Sequence, residues 1–330
     1  MGETINNLNK PAAHQDLIRG TAINKKFFLE TETVHVLKDV NFSVPEGSFT
    51  IIYGPSGSGK STMLNCLVGL EPPTTGNINI DGQDLYSLNP DQRANFRART
   101  LGMVYQTNYW VNSLSVIDNV SMPLYLSGYG KRQANMIAEE SLEKVGMANF
   151  KNKRPTVLSG GQQQRVSMAR ALVANPTWVV ADEPTGNLDT KNGDLIMNLL
   201  YELKQKMNKT VVLVTHNMEY LTLSDHRLRI KDGVLTEEEG TYGLSSAEKD
   251  AKMKEFQAAL STNSSGGPKT ASLSTVGTKE TTAKSSLLTG ASSMSVAELA
   301  NSAASTTKVP VKDITATAKT SKPSGGDKAK

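Results

Sequence analysis

The sequence predicts an α/β domain with a mainly parallel sheet core, followed by a low-complexity tail. Three observations predict it. Continuous apolar runs of strand length stand at Phe49–Tyr53, Trp178–Ala181 and Thr210–Val214, the pattern of strands buried on both faces. Longer segments between them repeat apolar residues at helical spacing, which implies helices flanking a parallel sheet. After Ser261 both signals stop.

The helices are read in order. Ser61–Leu70 follows the first apolar run. Residues 131–147 form an amphipathic segment inside a long insertion between the first and second strand groups. Gln162–Ala174 places Val166, Ala169, Leu172 and Val173 on one face. Thr190–Met207 does the same with Leu195, Ile196, Leu199, Leu200 and Leu203.

Composition bounds the rest. The 330 residues contain a single Cys, which excludes a disulfide scaffold and a multi-Cys metal site. No run of about 18 apolar residues is present, so no transmembrane helix is expected. The N-terminal residues lack the basic-then-apolar pattern of a signal peptide. A reducing compartment fits the lone thiol.

The formal charge of +4 is unevenly spread. Residues 1–240 carry 24 Lys and Arg against 25 Asp and Glu, whereas residues 241–330 carry 12 Lys against 7 acidic residues. A near-neutral body gives no support to nucleic-acid binding. In the tail, 42 of the last 70 residues are Ser, Thr, Ala or Gly and none is aromatic. Such a segment buries too little apolar surface to offset its ordering entropy, so it reads as disordered. Only Ser295–Ala304 hints at a helix. The tail's scattered lysines favour a solvated extension over a tether to anionic lipid or to a partner. The division is therefore an N-terminal extension at 1–15, a domain at 16–240 and the tail at 241–330.

GPSGSGKS at residues 54–61 matches G-x-x-x-x-G-K-[ST] and stands between an apolar run and a helix, where the motif works. Gly54, Gly57 and Gly59 permit a tight turn that aims successive N–H groups at phosphate oxygens. The helix behind adds its positive dipole end. Pro55, Ser56 and Ser58 complete the cradle, with Thr62 in the first turn of the helix as a further nucleotide-binding residue. Lys60 puts a cation on the β- and γ-phosphates of a nucleotide, and the Ser61 hydroxyl is a candidate ligand for Mg²⁺.

The apolar run WVVA ends in Asp182 and Glu183. Ligands of open α/β sheets bind at the carboxyl ends of strands. Asp182 is thus placed to hold Mg²⁺, and Glu183 to accept a proton from an attacking water. A second anion-seeking loop follows the same logic: LSGGQQQR at residues 158–165 sets Ser159, Gly160 and Gly161 before a helix.

GPSGSGKS, LSGGQ and VVADEP, in that order, resemble the ATPase domain of ABC transporters over about residues 16–240. The resemblance implies a P-loop fold with an antiparallel β part and a helical subdomain at about 106–172. It also implies roles. Gln106 in MVYQ resembles the Q-loop glutamine that senses Mg²⁺. Asn187-Leu188-Asp189 resembles the D-loop. His216 in LVTHN resembles the switch histidine. Phe27 or Phe28 stands where the family has an adenine-stacking aromatic, usually Tyr. In relatives two such domains pack head to tail, each ATP being sandwiched between the phosphate loop of one and the LSGGQ of the other. Ser159, Gly160, Gly161 and Gln162 would then contact ATP held by Lys60 of a second copy, with Asp189 nearby.

RANFRARTLGMVYQ, LSVIDNVSMPLYLSG and DEPTGNLDT are similar to the branch of lipoprotein-release, macrolide-export and cell-division ATPases. That branch works with permeases bearing a large extracytoplasmic domain, which implies an ATPase peripheral to the cytoplasmic face of the membrane. An ATP-gated regulatory subunit with little turnover is the alternative, and a soluble ABC protein acting on ribosomes or DNA a weaker one. Tyr109 and Trp110 read either as core aromatics or, preferably, as part of the permease groove. Cys66 reads as a small buried thiol. His14, His35 and His226 receive no role, and no spacing indicates a protein-ligated zinc.

Overall fold

In the computed structural model the described residues are 15–238, 245, 247–251 and 254. All lie within 1–277, the first of the two units into which the chain divides. The N-terminal segment 1–14 and the weak helix at Ser295–Ala304 lie outside the described residues.

A six-stranded sheet forms the centre. Its strands are β3 (Phe49–Tyr53), β6 (Leu101–Val104), β7 (Trp178–Asp182), β8 (Thr210–Thr215), β9 (His226–Lys231) and β10 (Val234–Glu238), in the spatial order β10-β9-β3-β8-β7-β6. The β9-β3-β8-β7-β6 run is parallel and only β10 is antiparallel, on β9. All five residues of β3 and all six of β8 are buried. Burying each large apolar side chain contributes about 1.5–3 kcal/mol, which is why these runs carry no alternation.

A second, four-stranded antiparallel sheet has the order β2-β1-β4-β5, from β1 (Asp16–Phe28), β2 (Thr33–Pro45), β4 (Thr75–Ile80) and β5 (Gln83–Asp84). Its individual strands escape a period-2 reading. Ala22 and Asp39 sit at φ 51° and 48°, and the β1–β2 register shifts near them, so the alternation of faces is broken mid-strand.

The helices are α1 (Lys60–Leu67), α2 (Pro90–Thr100), α3 (Val116–Leu126), α4 (Lys131–Lys144), α5 (Gly160–Leu172) and α6 (Thr190–Met207). The expected ends move for identifiable reasons. Helix α1 stops short of Leu70 because Gly69 takes φ 71° and the Leu70 amide folds back onto the Asn65 carbonyl at 2.9 Å, a glycine C-terminal cap. Helix α5 starts two residues early because Ser159 and Gln162 form a capping box. Helices α3 and α4 fill the insertion between β6 and α5.

Packing divides into two cores, one on each side of the central sheet. One gathers α3, α4, α5 and α6 around Phe49, Ile51, Val179 and Val211. The other packs the antiparallel sheet and α1 against Ile52, Val180, Val212 and Leu228. Cys66 lies in the second core, and burial pushes its thiol up to about 12.

The domain's contacts run past residue 240, where the sequence reading began the tail. Ser245 and Glu248 bond reciprocally, and residues 247–251 are helical. Lys249 is buried, its Nζ donating to the Ser224 carbonyl at 2.7 Å and to Asp225 Oδ1 at 2.8 Å. These bonds tie Lys249 to the turn that precedes β9.

Candidate functional site

The register of the parallel strands assembles the site. Tyr53 of β3 pairs with Thr215 of β8, and Asp182 of β7 with Val214 of β8. Val104 of β6 pairs with Ala181. Four adjacent strands therefore end at one edge, and the residues that follow them are Gly54, Glu183, His216 and, two positions beyond Val104, Gln106. A one-residue slip in any strand would turn its terminal side chain to the other face.

After β3 the chain turns at Gly54, with Gly57 at φ 77°. A Cβ built on Gly57 meets no atom within 4 Å, so the loop backbone faces open space. The Lys60 ammonium bends over the loop and donates to the carbonyls of Gly54 and Pro55, each at 2.9 Å. Ser61 is exposed and Thr62 half-buried at the first turn of α1, while Ser58 is buried with an unpartnered Oγ. An open backbone cradle, a cation over it and an unpaired hydroxyl fit a polyphosphate. The oxygen donors beside it, Ser61 and Asp182, are the hard-ligand chemistry Mg²⁺ prefers.

Asp182 ends β7 partly buried. Its carboxyl is raised above the ordinary range by burial first and by the neighbouring Glu183 second, with Lys60 pulling it back. Glu183 adopts φ 44°, a left-handed conformation costly for a side chain of this size. Its amide donates to the Val214 carbonyl at 2.9 Å. Its carboxylate sits beside His216 Nδ1 at 2.8 Å. The Gln106 amide nitrogen reaches the same turn, 3.1 Å from the position a Cβ on Gly186 would take.

The second anion loop stands apart from this cluster in its contacts. Ser159 and Gly160 are exposed at the N-terminus of α5. Ser159 Oγ accepts from the Gln162 amide at 3.4 Å, and Gln162 Oε1 accepts from the Ser159 amide at 3.0 Å. Gly160 faces Leu188, and a Cβ on Gly161 would lie 2.3 Å from Asn192 Oδ1. Asn192 is in turn held by Asp189, whose carboxylate accepts from its backbone at 2.9 Å and from its side chain at 2.8 Å. Those two bonds hold the Asp189 carboxyl below its ordinary value. The sequence reading missed Asn192. The motif letters gave no signal for it, because its importance is a contact across two elements.

Phe27 is half-buried with the Lys25 ammonium 5.0 Å from its ring centre, while Phe28 exposes 73% of its surface. Trp110 is half-buried. Its indole nitrogen donates to Gln163 at 2.9 Å and its ring lies under the Arg170 guanidinium at 4.5 Å, which ties the segment after Gln106 to α5. Tyr109, at φ 47°, remains 69% exposed. Arg170 and Gln164 also went unread. Gln164 donates to the Tyr105 carbonyl at 3.2 Å, and Arg170 donates to the Asn108 carbonyl at 2.6 Å.

A phosphate-binding loop at the first strand end, an acidic strand end beside it and a second glycine-capped helix N-terminus define a P-loop nucleotide-binding α/β domain. A family model described as ABC transporter matches residues 37–186. The chain is 39% identical over 221 residues to the lipoprotein-releasing system ATP-binding protein LolD of Shewanella frigidimarina, covering 67% of this chain and 92% of that one. It is 40% identical over 230 residues to the macrolide export ATP-binding/permease protein MacB of Syntrophobacter fumaroxidans, covering 69% of this chain and 32% of that one. Among solved structures it resembles a dimeric post-hydrolysis state of the ATP-binding cassette MJ0796 bound to ADP and Pi, with 37% identity, a TM-score of 0.63, and 67% and 98% of the two chains covered. The chain belongs to the ABC transporter family, as an ATP-binding subunit related to LolD and MacB.

Proposed function

We propose that this chain hydrolyses ATP as a head-to-tail homodimer and thereby drives a membrane permease with a large extracytoplasmic domain, from the cytoplasmic face. The reading rests on one observation above all. The chain carries two anion-seeking loops, and the exposed one at Ser159–Gly160 packs against Leu188 and Asn192 of its own chain. Each loop is half of a site, so a second copy completes both. The relative solved as an ADP- and Pi-bound dimer supports this. The names of the relatives favour lipoprotein release, export or mechanical transmission as the output.

In this reading Phe27 stacks on adenine and residues 54–62 cradle the phosphates. Lys60 leaves its loop carbonyls for the β- and γ-phosphate oxygens. Mg²⁺ held by Ser61, Gln106 and Asp182 would neutralise phosphate charge. Glu183 takes a proton from the attacking water, and His216 orients that carboxylate and senses the γ-phosphate. The partner's Ser159, Gly160, Gly161 and Gln162 close over the triphosphate, with Asp189 alongside. Positioning and electrostatics carry most of the rate in such phosphoryl transfers. Among the described residues no helix is long and apolar enough to cross a membrane, which fits a subunit that meets the bilayer through its permease.

The deciding experiment is size-exclusion chromatography of Glu183→Gln with and without Mg-ATP. Elution as a dimer only with nucleotide is expected. A monomer at saturating ATP would refute the sandwich. Lys60→Ala should lose tight ATP binding in the same assay.

A further inference from the structure

We propose that Lys25 is a positioning residue for the nucleotide base, acting through Phe27; the proposal rests on the adenine-stacking role given to Phe27 above. Phenylalanine has no hydroxyl to anchor its ring. Here the ring is held by charge. The Lys25 Nζ stands 5.0 Å from the ring centre, within the range where an ammonium is attracted to an aromatic face.

That ammonium is itself fixed. The Lys25 side chain is 12% exposed, and its Nζ pairs with Glu71 Oε1 at 2.9 Å. The same nitrogen donates to the Pro72 carbonyl at 2.8 Å. Glu71 lies just beyond α1, the helix that opens at Lys60, and its amide bonds back to the Asn65 carbonyl of that helix at 3.2 Å. Strand β1 itself is tied to the same loop: the Lys26 amide donates to Thr74 Oγ1 at 2.9 Å, and the Thr74 amide donates to the Asn24 carbonyl at 2.7 Å.

The register of β1 shifts on either side of Lys25. Such irregularities re-aim side chains, and this one brings the lysine over the ring two residues ahead of it. One cation therefore links the base platform to the helix that carries the phosphate loop. It stands over one face of Phe27, and in this proposal adenine takes the other. The base and the phosphates are thereby held at a set separation.

The test compares two ligands across a double-mutant cycle. ATP engages both base platform and phosphate loop, whereas inorganic tripolyphosphate engages the loop alone. Lys25→Met should weaken ATP binding about three- to fivefold and leave tripolyphosphate binding unchanged. Lys25→Arg should bind ATP like the parent. In a Phe27→Ala background, Lys25→Met should have no further effect on ATP. If Phe27→Ala itself leaves ATP affinity unchanged, the stacking role fails and the proposal with it. If Phe27→Ala weakens ATP binding but Lys25→Met is silent, or adds fully to it, the Lys25 role alone is overturned. Equal weakening of tripolyphosphate by Lys25→Met also overturns it, since the lysine would then support the loop and not the base.

Discussion

His216 Nδ1 lies 2.8 Å from Glu183 Oε2 and 2.9 Å from Oε1. The two residues follow adjacent strands, β8 and β7, and the Glu183 backbone takes φ 44° at the turn. Its carboxylate is 15% exposed, the imidazole 67%. A shielded carboxylate is thus held by a ring that reaches solvent. His216→Ala should cut single-turnover ATP hydrolysis by roughly 100-fold or more with ATP affinity retained. A rate within threefold of the parent would remove His216 from the mechanism.

Gly161→Ala tests the proposed head-to-tail dimer from within one protomer. The added methyl would sit 2.3 Å from Asn192 Oδ1 and 2.5 Å from its Cγ. The Asn192 side chain must move, and its Nδ2 bond to Asp189 is disturbed while the backbone cap bond remains. Expected are a stability loss of about 1–2 kcal/mol and weaker nucleotide-driven dimerisation on a Glu183→Gln background, with unchanged ATP affinity of the monomer. Sedimentation equilibrium reads the second effect, and an unaltered dimer constant would contradict it.

Arg170→Met keeps the apolar stem but removes the cation that holds the Asn108 carbonyl and covers Trp110. A hydrogen bond from a charged group contributes about 1.5–3 kcal/mol. Urea unfolding should show a loss of that size, and amide exchange should quicken over residues 107–112. Unchanged protection there would mean that the segment is held by other contacts.

His226 makes stability depend on pH. Its Nδ1 is buried without a partner, and burial lowers its imidazole below the ordinary value against the opposing pull of Glu237 and Asp16. The unfolded chain then binds a proton that the folded chain refuses. Stability from this group is complete above an unfolded value of about 6.5 and falls as pH drops from there toward the depressed folded value. His226→Asn should flatten the denaturation midpoint across pH 5–7. A slope equal to the parent's would assign the effect elsewhere.

Much was legible in the letters. Runs such as Phe49–Tyr53 and Thr210–Val214 announce buried parallel strands because both faces must be apolar. GPSGSGKS and LSGGQ announce anion loops because glycine spacing and a following helix are local requirements. The antiparallel sheet was harder to read strand by strand, since bulges at Ala22 and Asp39 break the alternation that marks a strand.

The sequence by itself determined the chemistry at each strand end: a cationic phosphate loop, an acidic pair and a histidine, each written in a few adjacent residues. Only the tertiary structure decided how they are held. It set Phe27 beside Lys25 and left Phe28 exposed, bonded Trp110 to Gln163, placed Asn192 behind Gly161 and carried the domain's contacts to Lys249. The physical reason is one of range. Backbone propensity and apolar periodicity act between near neighbours along the chain. The hydrogen bonds, ion pairs and ring contacts that orient a functional side chain form between residues that meet only after the sheet has assembled in register.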